Sequence, residues 1–106
     1  MLSMTLVSVL YPQTHDSRFD YGYYLQTHIP LVKDRWSPLG LERVEMVRGT
    51  ASMDGGGPAF AMLTTLFFTS DDHLQQALTE HGAEVLGDIP NFTDAEPVMQ
   101  MGEAVA

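Results

Sequence analysis

Residues 59–70 read AFAMLTTLFFTS, and the placement of this run decides the fold. Thr, Phe and Leu dominate it, so it reads as a strand. Alternation sends Ala59, Ala61, Leu63 and Phe67 to one side and Phe60, Met62, Leu66 and Phe68 to the other. Both faces are apolar, so both need cover. The preceding TASMDGGGPA is a turn-rich connection with Gly55 to Gly57 as its flexible tip. A phosphate-cradling loop needs a helix directly behind it, and here a strand follows.

Working outward, MTLVSVL (4–10) is a second β-rich run, ended by Pro12 within YPQTHDS. Asp20 caps a helix that carries through Trp36 until Ser37-Pro38-Leu39-Gly40 stops it. LERVEMVRG (41–49) mixes charge and apolar residues on both faces, which suits an edge strand. Ser70 caps a second helix, with Asp71 and Asp72 at its positive end and Leu74, Ala77, Leu78, His81 and Val85 on one face. DIPNFTDAEP is a loop, and VMQMGE (98–103) supplies a last short strand. The order β-α-β-β-α-β predicts an α+β, ferredoxin-like fold: a four-stranded antiparallel sheet with both helices on one face and the first and third strands central. Two helices cover only one face of such a sheet. The apolar residues on the other face predict a homodimer that packs sheet on sheet and closes into a dimeric α/β barrel.

At 106 residues the chain suits a single domain, 1–106. Fourteen acidic against five basic residues give a net charge of −9, so nucleic acid is not an expected partner. The absence of cysteine excludes disulfides, thiolate metal sites and thiol nucleophiles. The opening residues lack a basic flank and a cleavage site, and no apolar run reaches about 18 residues. No membrane association and a cytoplasmic location are therefore expected. Glu80, His81 and Glu84 crowd one turn but face differently, so a solvated helix face is expected there and no metal. No dinucleotide fingerprint stands out, and no cofactor is expected.

The first helix raises the question of chemistry. In a 3.6-residue frame Tyr21, Leu25, His28, Val32, Arg35 and Trp36 share one side, flanked by Tyr24 and Leu31. Pro30 removes a backbone donor and collides with the Gln26 carbonyl, so a kink is expected. An imidazole and a guanidinium on an apolar face beside a kink fit a packed histidine with a snorkelling arginine, or a pocket. The pocket reading makes His28 a neutral base near neutral pH, Arg35 an anchor for a carboxylate or enolate, and Tyr24 a hydrogen-bond donor. Tyr21, Leu31 and Trp36 are then its apolar contacts.

The segments LYP, FDYGYYLQTHIPLV, LGLERVEMVRG, AFAMLTTLFF and GDIPNFTD, in this order and over nearly the whole chain, resemble the EthD family. The most specific parts are Tyr24 followed by His28, Pro30 and Leu31, and the run Asp88 to Asp94. The resemblance implies a ferredoxin-like fold in a dimeric α/β barrel. It also implies a protein from gene clusters for fuel-ether degradation, with a loosely attached oxidoreductase label. Other proteins on that barrel are cofactor-free monooxygenases, isomerases, polyketide cyclases and decarboxylases. The resemblance carries over His28, and adds Asp88, Asn91 and Phe92 as ligand-site residues with no role assigned. A small apolar or aromatic metabolite between helix and sheet is the expected ligand, held either for catalysis or for delivery by a non-catalytic accessory protein.

Overall fold

The computed structural model describes residues 4–105. Strands β1 (Thr5–Pro12), β2 (Leu41–Arg48), β3 (Phe60–Phe68) and β4 (Val98–Gly102) form one antiparallel sheet in the order β2-β3-β1-β4. The expected ferredoxin-like order is present, with β1 and β3 central and β2 at an edge. β1 continues past Leu10 because Tyr11 still pairs with Met62; the register shifts at Pro12, which has no N–H for the ladder.

The helical layer starts with α1 (Tyr21–Tyr23), widens into a π-helical turn at Tyr24–His28 and continues as α2 (Ile29–Trp36). Asp20 caps α1, its carboxylate accepting from the Tyr23 N–H at 3.0 Å. After α2 a 3₁₀ turn, Ser37–Leu39, leads to Gly40 at φ +105°. A Cβ at Gly40 would lie 2.7 Å from His73 Cβ, so only glycine fits this stop. The second long helix, α3 (Asp71–Gly87), is regular, and Ser70 Oγ accepts from the His73 N–H at 3.1 Å.

The π turn corrects the helix face read from the sequence. Ahead of Pro30 the ladder shifts by one residue, so that the Ile29 N–H reaches back to the Tyr24 carbonyl. The added residue rotates the preceding turn by about 100° relative to a 3.6-residue frame. Leu25 therefore lies 52% exposed, and the buried face is Tyr24, His28, Ile29, Val32 and Trp36.

Between helices and sheet the core divides in two. One part is mainly aliphatic, with Val32, Leu41, Leu66, Leu74, Ala77 and Val85 around Trp36 and Phe68. The other is built on Tyr11, Tyr24 and Phe92 with Val9, Ile29, Met62 and Ile89. Phe68 and Phe92 are fully buried, each contributing about 1.5–3 kcal/mol of transfer free energy. On the opposite sheet face, cross-strand pairing lines up Val98, Leu10, Leu63 and Val47 in one apolar row. Val98, Leu63 and Val47 in that row are exposed. Beside it the Arg43 guanidinium lies 4.1 Å from the centroid of the Phe67 ring and covers it. No helix among the described residues is long and apolar enough to cross a membrane.

Candidate active site

A cavity of about 300 Å³ lies between the helices and the sheet. Its floor comes from two cross-strand rows: Met99, Val9 and Thr64, and Met101, Val7 and Leu66. Tyr24, His28, Ile29, Val32 and Trp36 form one wall, and Leu74, Leu78, Val85 and Leu86 of α3 the other. The π turn matters here because it places Tyr24 and His28 together on the inward face, with rings stacked at 5.6 Å between centroids.

His28 is 4% exposed and lines this wall beside Tyr24. Its Nδ1 lies 2.9 Å from Asp88 Oδ2. With the carboxylate ionised, Nδ1 carries the proton and donates it, which leaves Nε2 as an acceptor. Asp88 is itself held: Tyr23 Oη donates to Oδ1 at 2.6 Å and Asn91 Nδ2 donates to the same oxygen at 2.9 Å. Phe92 packs against both the imidazole, at 4.6 Å between centroids, and the Tyr24 ring, at 5.1 Å. Burial pushes the His28 pKa below its ordinary value, against the opposing pull of Asp88, so the imidazole is a neutral base. For Asp88, burial alone would raise the pKa; the hydrogen bonds from Tyr23, Asn91 and His28 outweigh it and hold the carboxyl below its usual range.

The Asp88 loop reaches this helix because the chain is sewn to the segment before it. The Asp20 N–H donates to the Phe92 carbonyl at 2.7 Å, Thr93 Oγ1 to the Arg18 carbonyl at 2.6 Å, and the Arg18 N–H to Asp94 at 2.8 Å. Asp88 ends α3, and a 3₁₀ turn over Ile89–Asn91 returns Asn91 to its carboxylate.

Above Thr64 the Tyr24 hydroxyl hydrogen-bonds to Thr64 Oγ1, and Tyr11 stands beside them. Burial pushes Tyr24 up to about 12, so it keeps its proton. Burial raises Tyr11 as well. The three hydroxyls form a polar patch in an otherwise apolar chamber.

The residues expected at a site divide clearly. His28, Tyr24 and Trp36 line the cavity, and Trp36 Nε1 is satisfied by the Ala77 carbonyl at 2.9 Å. Asp88, Asn91 and Phe92 hold His28 from behind and do not line it. Tyr21 lies toward β2, under the Arg48 guanidinium at 3.7 Å, and Leu31 is half-buried away from the chamber. Arg35 is turned outward, where it pairs with Glu84 at 2.8 and 3.2 Å and with Asp34. Among the described residues the cavity thus has no guanidinium, and the same contact ties up Glu84, one of the three crowded side chains of α3. Thr64, Tyr11 and Tyr23 were missed. Thr64 was legible as the one hydroxyl among the inward positions Phe60, Met62, Thr64, Leu66 and Phe68. Tyr23 had no signal, because its role depends on a loop 65 positions away.

Neither protein-family models nor curated proteins give a match. Solved structures do. An EthD-like protein from Ralstonia eutropha JMP134 is 38% identical, with a TM-score of 0.90, covering 100% of this chain and 96% of that one. An ethyl tert-butyl ether degradation (EthD) family protein from Bacillus halodurans C-125 is 24% identical, TM-score 0.76, covering 96% and 99%. SnoaB, a cofactor-independent oxygenase from Streptomyces nogalater, is 12% identical, TM-score 0.64, covering 100% and 96%, which is a likeness of fold. With more than a third of its residues shared end to end with the Ralstonia protein, the chain belongs to the EthD family.

Proposed function

We propose that the protein is a cofactor-free enzyme that takes a small apolar or aromatic molecule into the cavity and removes a proton from it with His28. The observation that carries this reading is the buried His28–Asp88 pair beside an apolar chamber of ligand size. Asp88 fixes the tautomer and leaves Nε2 free. As Nε2 takes a proton from an O–H or an activated C–H, the imidazolium gains the carboxylate as its partner, and the ligand keeps the electron pair as a phenolate or enolate. The hydrogen-bonded hydroxyls of Tyr24, on the wall with His28, and Thr64, on the floor, are the groups to stabilise that oxygen. SnoaB adds that this scaffold hosts chemistry without a cofactor in at least one distant protein, a fold-level analogy.

The working unit is a homodimer joined through the uncovered sheet face. The row Val98, Leu10, Leu63 and Val47 supports this, since it runs across all four strands with no helix over it. Arg35 has no part in the reaction on this reading. Incubation of the purified protein with candidate phenols and enolisable ketones in deuterated water tests the proposal. Deuterium incorporation or product formation that is lost in His28→Gln is the expected result. Tight binding with every ligand recovered unchanged and unlabelled would make the protein a carrier instead. Sedimentation at high concentration checks the dimer, and a single-chain mass would remove it.

A further inference from the structure

The lining of the cavity restricts what fits inside beyond a general preference for apolar ligands. Among the described residues no Lys, Arg, Asp or Glu lines it, and its polar residues are Tyr11, Tyr24, His28, Thr64 and Gln100. No fixed cation there compensates a ligand that arrives already charged; an anion made by proton transfer differs, because it forms beside the imidazolium. Asp88 already stands behind the imidazole, and the chain as a whole carries −9. A carboxylate or phosphate on the ligand would lose its water without gaining a cation. Size sets a second limit: a dry cavity of about 150 Å³ holds one benzene ring, so twice that space suits about two fused rings.

Orientation follows from where the polar groups and the opening sit. His28 Nε2 has no hydrogen-bond partner among the described residues, since it is Nδ1 that meets Asp88 outside the cavity lining. The lining residues that are also exposed are Leu78 and Leu86 on α3, at 38–40%, and Met99, Gln100 and Met101 on β4, the two methionines at 42–50%. The cavity therefore opens between α3 and the edge strand. Two methionines on one side of that opening give it a deformable apolar rim.

We propose that the cavity selects uncharged, flat, bicyclic hydroxy- or keto-aromatic compounds, admitted between α3 and β4, with the ligand oxygen at His28 and the far ring at the Met99–Met101 rim. This rests on the reading of His28 as the polar anchor of the ligand. A hydroxyl donates to Nε2, and a ring carbonyl accepts from the Tyr24–Thr64 pair. Carboxylated forms of the same rings are excluded.

Titration of the unmodified full chain with 1-naphthol, naphthalene, phenol and 1-naphthoate at neutral pH tests this, with calorimetry for affinity and nitrogen-15 NMR of the His28 ring for location. The expected order places 1-naphthol about tenfold tighter than naphthalene, the gain of one hydrogen bond. It places phenol and 1-naphthoate each at least about tenfold weaker than 1-naphthol, with the His28 signal moving for the naphthol. His28→Leu, whose side chain neither accepts nor donates a hydrogen bond, should narrow the gap between 1-naphthol and naphthalene. Equal affinity for 1-naphthoate, or phenol as tight as 1-naphthol, would overturn the substrate class while leaving His28 as the anchor. Naphthol binding without movement of the His28 signal, or no binding by any probe, would overturn the anchor reading as well.

Discussion

The two helical stretches that cover the sheet are made differently. α3 is a regular α-helix despite Gly82 in its interior, with a serine cap, two aspartates at its start and an apolar stripe at regular spacing. The stretch from Tyr21 to Trp36 breaks them, with a π turn, a proline inside the helix and a histidine on the buried face. α3 supplies wall and scaffold. The irregular stretch supplies the imidazole and, beside it, the Tyr24 hydroxyl. The contrast teaches that local regularity gives way where the imidazole is turned inward, a departure frequent at functional sites.

Substitutions on the two stretches should separate these roles. His28→Gln should produce the largest change, a loss of turnover of about 10²–10⁴-fold, the range for removing a general base, read from steady-state kinetics on a substrate identified by the titrations above. Asp88→Asn should follow. It removes the charge that fixes the ring and favours the imidazolium, and a charge-assisted hydrogen bond corresponds to a loss of about 10- to 100-fold. If Asp88→Asn were silent while His28→Gln was not, the pair would not act as a unit.

Acid should then distinguish the irregular stretch through stability. An unfolded histidine titrates near 6.5, and His28 in the folded chain titrates lower because it is buried. Between those two values the unfolded chain binds more protons. The stability contributed by neutral His28 is thus complete above the unfolded value and is lost as pH falls through the folded one. Denaturant titrations across that window should show the slope in the natural chain and a shallower one in His28→Gln. Asp88, also held below its ordinary pKa, adds a further loss at more acid pH.

On the regular helix, Ser70→Ala should cost about 1 kcal/mol of stability in chemical unfolding while leaving ligand affinity unchanged. Arg35→Ala should have the smallest effect, no change in ligand binding and a slight lowering of Tm, because its partners Glu84 and Asp34 are exposed. A large loss of affinity in Arg35→Ala would restore it to the site and break the division drawn here.

Most of the fold was legible because it depends on periodicity. The two-sided strand at 59–70 fixed its own central position, and Asp20, Ser70 and Gly40 marked the helix ends. His28 stood out because a titratable ring on an apolar stripe is uncommon. The turn that places it was less visible: Pro30 announces a disturbance, but whether the backbone kinks or inserts a residue depends on packing against Phe92 and the sheet. Hence regular spacing places Leu25 inward, while the structure turns it outward. Arg35 shows the opposite limit, since its spacing matched the buried face while the long side chain reached Glu84 on a neighbouring helix. The grip of Tyr23 on Asp88 is a tertiary contact and had no local signature, whereas Asn91 reaches the same carboxylate from three residues along the same turn.

One measurement bears on the central claim most directly: nitrogen-15 NMR of the His28 ring in the ligand-free protein at neutral pH. The account predicts a neutral imidazole protonated at Nδ1, with Nε2 bare, a tautomer that Asp88→Asn weakens. A ring protonated at Nε2, or one carrying both protons at neutral pH, would contradict it.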